Sequence, residues 1–140
     1  TLAVEQPALA QSLLERFGGA RLTLAFDAFL DNEGRATVAA RGWQQRSRKS
    51  PQDLIAAYLP AGLERVLCTD ISRDGMLQGP NVALYRELAG AFPSLELQAS
   101  GGVRSIDDLL ALKAAPVRSA VVGKALYEGA LDLAEAIRLC

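Results

Sequence analysis

Residues 65–81 read RVLCTDISRDGMLQGPN, a pattern that predicts one strand, one loop and the start of one helix. The run 65–69 is short and mostly apolar, as buried strands are. The polar segment 70–80 is rich in aspartate and glycine and is predicted to be a long loop. Asn81 is a typical N-cap for the helix that follows. The apolar positions of that helix are Leu84, Leu88 and Phe92. The stretch therefore predicts a strand whose carboxyl end leads into a loop with many functional groups.

The same strand–loop–helix unit recurs on both sides of this stretch. Short apolar runs predict further strands at 22–26, 95–99 and 119–122, and residues 36–40 form another β-like run. Helix signals lie at residues 9–17, at Ser50-Pro51-Gln52-Asp53, at Ser105 with Asp108 as a capping box, and over 131–139. Short apolar strands separated by helices predict an α/β fold with a parallel sheet. Four such strands fit an open doubly wound sheet or half of an eight-stranded barrel.

Polar groups follow the carboxyl ends of all four strands, at Asp27, 69–74, 100–102 and 123–124. A (β/α)8 barrel has its active site at that face and often forms a phosphate site after its last two strands. An open sheet binds ligands mainly at one switch point. Functional groups on four strand ends therefore favour the barrel.

Two glycine-containing turns follow the last two strands. Backbone N–H groups of glycines can approach an anion closely, and a helix N-terminus after each turn would add positive dipole. We therefore predict a phosphate site, although tight-turn glycine is the plain alternative. Its residues would be Ser100, Gly101, Gly102, Gly123 and Lys124.

Two aspartates are candidates for proton transfer. Asp27 ends a core strand, where partial desolvation would raise the pKa of a carboxyl group toward the range of a general acid. It could equally cap a loop or pair with an arginine. Asp74 could exchange a proton in the site while Thr69 hydrogen-bonds the substrate. Alternatively, Asp70 and Asp74 order their loop, and this explanation suits Asp70 better.

Trp43 is the single tryptophan and lies in a polar, basic segment. Its indole would either anchor the loop or stack on a flat heterocycle. The cations around it are explained by a solvated face or by attraction of a polyanionic substrate. They are Arg41, Arg46, Arg48 and Lys49.

Composition argues against several classes of protein. The net charge of −1 argues against nucleic-acid binding, and no apolar run approaches the roughly 18 residues of a membrane span. The absence of histidine excludes Ser-His-Asp and Cys-His catalysis and removes the commonest zinc ligand, so we expect no metal. Two cysteines, Cys68 in an apolar run and Cys140 at the end, make no disulfide framework. With no visible signal peptide, these features indicate the cytoplasm.

These motifs resemble those of the phosphoribosylformimino-5-aminoimidazole carboxamide ribotide isomerases of histidine biosynthesis. Residues 68–81 resemble that family's strand-6 motif, and 100–103 and 121–129 resemble its strand-7 and strand-8 motifs. Residues 25–27 and Gly42-Trp43 resemble the end of strand 5 and the loop after it. The resemblance covers all 140 residues. It implies a (β/α)8 TIM barrel of which residues 1–140 form the C-terminal half, strands 5–8, as a single truncated domain.

The resemblance also implies a reaction. These aldose–ketose isomerases perform an Amadori rearrangement, without a cofactor, on an aminoimidazole ribotide that carries two phosphates. By this resemblance Asp27 is the acid, assisted by Thr69 and Asp74, with Asp74 the second choice as proton donor. The predicted phosphate residues would hold one phosphate, Lys124 standing where the family usually has arginine. Trp43 would stack on the aminoimidazole.

The resemblance leaves a large difference in length, because the family's chain is nearly twice as long. Residues 1–4 look like the end of its strand-4 loop, so the base, the second phosphate site and four strands would come from a missing N-terminal half or a second copy. Within the enzymes, the cyclase subunit of imidazole glycerol phosphate synthase and a dual-substrate isomerase are alternatives. Residues 69–72 and 123–129 fit the isomerase better than the cyclase. A different class of answer is an inert half-barrel that self-associates through its open edges.

Overall fold

A computed structural model describes residues 1–139, apart from the side chains of Gln45 and Arg46. Cys140 lies outside the described residues. The strands are β1 (Thr23–Leu30), β2 (Ala36–Ala40), β3 (Gln45–Arg46), β4 (Arg65–Asp70), β5 (Glu96–Ser100) and β6 (Ser119–Ala120). The helices are α1 (Leu2–Glu5), α2 (Pro7–Phe17), α3 (Pro51–Tyr58), α4 (Val82–Ala91), α5 (Ile106–Ala114), α6 (Lys124–Tyr127) and α7 (Leu133–Leu139). Two 3-10 turns cover Gly19–Arg21 and Leu59–Ala61.

The strands form one sheet in the order β3-β2-β1-β4-β5-β6. The four predicted strands are confirmed as parallel neighbours, β1 with β4, β4 with β5 and β5 with β6. The run 36–40 forms an antiparallel hairpin with the end of β1. This hairpin corrects one prediction, because Asp27 lies inside β1 rather than beyond its end. The parallel pairing stops at Ala28, and the rest of β1 pairs only with β2.

Helix starts are read well from the sequence, as α3 and α4 show. Ser50 and Asp53 form the predicted capping box, with Asp53 N–H donating to Ser50 Oγ and Ser50 N–H donating to Asp53 Oδ2. Asn81 caps α4 by accepting the Leu84 N–H at 3.1 Å. These side chains satisfy N–H groups that have no carbonyl partner in the first turn.

One prediction about a helix start needs correction, and two helices expose part of their apolar residues. At α5, Ser105 accepts the Asp108 N–H as predicted, but the Asp108 carboxylate accepts the Arg104 N–H instead of closing a capping box. In α2 the buried residues are Ala10 and Leu14, whereas Leu9 and Phe17, at the two ends of the predicted helix 9–17, are exposed. In α7, Leu133, Ile137 and Leu139 are likewise exposed. No helix in residues 1–139 is long and apolar enough to cross a membrane.

The helices cover one face of the sheet and leave the other open. Residues that point to the helices are fully buried, as Phe26, Val66 and Cys68 are. The alternate residues of the same strands lie on the open face because side chains alternate along a strand. They are Thr23, Ala25 and Asp27 on β1, Arg65, Leu67 and Thr69 on β4, and Glu96, Gln98 and Ser100 on β5. We call these nine residues the open face.

Candidate functional site

Three predicted site residues form one row across the sheet. The strand register pairs Asp27 with Thr69 and Thr69 with Ser100, at the carboxyl end of the open face. Thr69 and Ser100 are buried, and Asp27 is half-buried. Because parallel neighbours in register point the same way, the carboxylate and the two hydroxyls face one region. We call these three residues the acid row.

A cleft of about 240 Å³ continues from the acid row across the last two strands. Its lining includes Asp74, Ser100 and the predicted phosphate residues Gly101, Gly102, Gly123 and Lys124. Ser100 belongs both to the acid row and to the cleft. The structure therefore brings the two aspartates and the glycine turns to the same edge of the sheet, as the sequence predicts. Their roles in binding and catalysis stay predictions.

Close packing explains the first glycine pair. A Cβ on Gly101 would lie 2.6 Å from the Asp70 carbonyl oxygen, and one on Gly102 would lie 2.4 Å from the Gly79 carbonyl oxygen. Both glycines also have positive φ, +99° and +88°, which side chains rarely adopt. The turn 100–103 thus packs directly against the loop 71–80, which we call the β4 loop. The tight-turn explanation is thus confirmed for Gly101 and Gly102, and their role in anion binding stays a prediction.

The dipole contribution to this site is smaller than the sequence suggests. Gly123 is followed by α6, which has a single turn, and α5 begins only at Ile106, several residues after Gly102. The backbone N–H groups remain, and those of Gly102 and Gly123 are paired with no acceptor among residues 1–139. Lys124 is exposed, with its Nζ 3.7 Å from Glu128 Oε1. Binding of an anion would therefore depend on individual N–H groups and on the Lys124 ammonium.

Trp43 contacts the acid row at Asp27. Its indole N–H donates to Asp27 Oδ2 at 2.9 Å, although almost half of the side chain is exposed. Trp43 and its neighbours Arg41 and Gly42 all have positive φ, so the turn that carries the indole is strained. The anchoring explanation is thus confirmed by a hydrogen bond, and stacking on a heterocycle stays a prediction. Among the described side chains, no arginine forms an ion pair with Asp27.

The basic segment around Trp43 is mostly a solvated surface. Arg41 forms an ion pair with Glu5 of α1, and Arg48 and Lys49 are exposed. The side chain of Arg46 is outside the described residues. The described cations of this segment do not line the cleft, so the segment does not extend the predicted phosphate site.

Sequence reasoning missed Tyr85, which supports the site from α4. The side chain is fully buried, and its hydroxyl donates to the Ser100 carbonyl and also contacts the Asp70 backbone. Burial raises the pKa of Tyr85 far above its usual value. The one available signal is that a tyrosine in an apolar helix stripe needs a partner for its hydroxyl. Tyr85 thereby ties the carboxyl ends of β4 and β5 together.

Cys68 behaves as the sequence predicts, as a buried small hydrophobe. Burial, and to a lesser extent the nearby Asp70 and Asp27 carboxylates, raise the pKa of its thiol to about 12. Within residues 1–139, no group of histidine, cysteine, aspartate and glutamate side chains could hold a metal ion. A second cleft, about 400 Å³ in volume, lies at the amino ends of the strands around Arg65 and Glu96. It is at the opposite end of the sheet from the acid row.

One comparison with known proteins bears on this arrangement. The family model described as "Histidine biosynthesis protein" matches residues 1–132, nearly the whole chain. That family consists of (β/α)8-barrel enzymes and includes both isomerases and cyclases of the pathway. Four parallel strands with helices on one face and polar groups at their carboxyl ends are consistent with part of such a barrel. The chain therefore belongs to the histidine biosynthesis protein family.

Proposed function

We propose that this chain provides the acid and one phosphate site of an aldose–ketose isomerase acting on an aminoimidazole ribotide with two phosphates. The observation that supports it best is that Asp27 shares the acid row with Ser100, while Asp74 and the glycine turns line the cleft that Ser100 borders. An acid beside an anion site is what the opening of a phosphorylated ribose ring requires. The isomerase is favoured over the cyclase because residues 69–72 and 123–129 resemble the isomerase motifs.

The proposed chemistry begins at the ring oxygen of the aminoaldose. Asp27 donates a proton there, the ring opens to a Schiff base, and a base on other strands removes the C2′ proton. The resulting enolamine then collapses to the ketone. Thr69 lies next to Asp27 in the row and is placed to hydrogen-bond the substrate, and Asp74 is the second candidate for the donor. General acid catalysis of this kind contributes about 10²–10⁴-fold to a rate.

The hydrogen bond from Trp43 bears on how Asp27 would act as the acid. The indole N–H occupies Oδ2, which leaves Oδ1 to carry the proton. We propose that the ring oxygen meets Oδ1 while the exposed indole face stacks on the aminoimidazole. Trp43 would then both orient the acid and contact the substrate.

The phosphate would bind between the two glycine turns. N–H groups of Gly102 and Gly123 supply hydrogen bonds, and Gly101 lets the backbone fold closely enough to present them. Lys124 is exposed and loosely paired, so its ammonium can turn to the anion. Ser100 adds a hydroxyl at the edge of the same cleft.

We also propose that four further strands cover the open face, from an N-terminal half-barrel or a second copy. The open face carries both the acid row and the Arg65–Glu96 ion pair, and its Asp27, Arg65 and Glu96 side chains keep access to solvent in this chain. The edge of β1 before Ala28 and the edge of β6 are free to pair, because β2 covers only the end of β1. Such closure would also bring in the general base.

Complementation tests the proposed function. An N-terminal half-barrel of this family added in trans is expected to give isomerase turnover, measured by the absorbance change of the aminoimidazole product. Asp27→Asn should lower kcat about 10²-fold or more. Glu64→Gln removes a carboxylate at the amino end of β4 and is the matched control, with unchanged kcat expected. Turnover that survives Asp27→Asn would contradict the role of Asp27, and cyclase turnover in its place would contradict the isomerase proposal.

A further inference from the structure

Asp70 is a buried carboxylate that the proposed chemistry does not use. It is the last residue of β4 and follows Thr69, so its side chain points to the helices while Thr69 faces the site. Its exposed fraction is 0%. Burying a carboxylate is costly unless hydrogen bonds compensate for the lost water. The partners of Asp70 therefore indicate what this residue does.

The Asp70 carboxylate links β4 to the start of α4. Oδ1 accepts the N–H and the hydroxyl of Ser72, at 3.0 and 2.6 Å. Oδ2 accepts the Asn81 side-chain amide at 2.8 Å. Asn81 in turn caps α4 through the Leu84 N–H. Asn81 thus uses its oxygen for the helix and its nitrogen for the carboxylate.

From Asp70, a chain of hydrogen bonds continues to the turn 100–103. The Asp70 carbonyl accepts the N–H groups of Arg73 and Asp74, both at 3.1 Å. Arg73 lies 3.7 Å from the Asp70 carboxylate and donates to the Gly79 carbonyl at 2.9 Å. The Gly79 N–H donates to the Gly102 carbonyl at 2.9 Å. The chain of hydrogen bonds thus runs from the end of β4 through the β4 loop to the turn 100–103.

We propose that Asp70 is a positioning residue that fixes Asp74 and the Gly102 turn relative to each other. The carboxylate touches neither the cleft nor the acid row, so it acts through the β4 loop. A rigid loop would keep the second aspartate at a set distance from the bound phosphate. This inference rests on the proposed function, because it assigns Asp70 a task in that same site.

An exchange of donor and acceptor tests the proposal in the complemented enzyme. Asp70→Asn replaces one carboxylate oxygen with an NH2 group, which must face either the Asn81 amide or the Ser72 N–H, so a donor meets a donor and the anchor of the loop is weakened. Asn81→Asp in the same chain restores a donor–acceptor pair, and aspartate still caps α4. Because small misplacements of reacting groups are costly, kcat should fall about tenfold or more in Asp70→Asn and return to within about threefold in the double variant. KM should change much less, since Tyr85 also holds the Gly102 turn through Ser100.

Two further variants separate positioning from general stability. Asp53→Asn removes the capping carboxylate of α3, away from the site. It should leave kcat unchanged even where it lowers the melting temperature as much as Asp70→Asn does. Asn81→Ser keeps a cap for α4 but is too short to reach Asp70, so it should lower kcat even if Asp70→Asn does not fold. Amide hydrogen exchange at Gly79 gives a readout that needs no turnover. Exchange there should be faster in Asp70→Asn than in the wild type and in Asp53→Asn.

The outcomes are distinguishable. The proposal is wrong if kcat is unchanged in both Asp70→Asn and Asn81→Ser. It is also wrong if Asp53→Asn lowers kcat as much as Asp70→Asn does, or if the double variant has a kcat as low as that of Asp70→Asn. If the wild-type complex shows no isomerase turnover, the proposed function fails. The rate of amide hydrogen exchange at Gly79 then still tests whether Asp70 holds the β4 loop. Unchanged exchange in Asp70→Asn would overturn its positioning role in that case as well.

Discussion

At the scale of single residues, the turn 100–103 has the strictest requirement for glycine in the candidate site. Gly102 has positive φ, and a Cβ there would meet the backbone of Gly79, which cannot move as a flexible side chain would. Gly34 has a similar φ of +79° but open space around the missing Cβ. A side chain at Gly34 would therefore meet backbone strain alone, whereas one at Gly102 would meet both strain and a steric clash.

We expect Gly102→Ala to cost about 2–4 kcal/mol of unfolding free energy, from overpacking added to backbone strain. Gly34→Ala should cost about 1 kcal/mol, because strain alone acts there. Urea unfolding of both variants measures the difference. Equal losses at the two positions would show that the contact between the glycine turn and the β4 loop is looser than described.

At the scale of elements, the sequence predicts the order of strands and the helix starts well. Capping residues such as Ser50 and Asn81 act within one turn, so a local pattern is sufficient to identify them. The extension of β1 past Asp27 depends on pairing with β2 across the turn 31–35, and the short β6 depends on β5, about twenty residues earlier in the chain. The exposure of Leu9 and Ile137 was also not predictable from spacing, since an apolar stripe does not say whether anything covers it.

The same distinction holds for the candidate site. Asp27, Asp74 and the glycine turns were found from their positions after apolar runs. Tyr85, the second role of Asn81 and the Trp43–Asp27 bond were missed, because each joins two elements through a side chain whose direction the sequence does not give.

The capping box of α3 gives a prediction about pH. The Ser50 N–H and hydroxyl lower the pKa of Asp53 below its ordinary value of 3.8. A carboxyl group whose pKa is lowered in the folded state stabilises the protein at pH values above its ordinary pKa. This stabilisation is lost as the pH falls through the pKa of the folded state. Asp53→Ala should therefore lower the urea midpoint at pH 7 by more than at pH values below 3.8. A difference that does not change over this range would contradict the capping role of the charged form.

At the scale of the whole molecule, the open face determines how the chain behaves alone. A face with Leu67 at its centre and strand edges at both sides should associate with a second copy. Sedimentation velocity is expected to show dimers or larger species, and Leu67→Lys should shift them to monomer. Leu110→Lys changes an exposed leucine on α5 instead and should leave the association unchanged. A compact monomer for the unmodified chain would contradict this prediction.

We propose that the carboxyl ends of the four parallel strands form one anion site beside Asp27 and Asp74. The most direct measurement is a titration of the ¹⁵N-labelled chain with inorganic phosphate, followed by amide chemical shifts. We predict saturable shifts at Gly102, Gly123 and Lys124, with weaker shifts at Asp74 and Ser100. Saturable shifts confined to the basic segment 41–49, or none in the cleft at millimolar phosphate, would contradict the account.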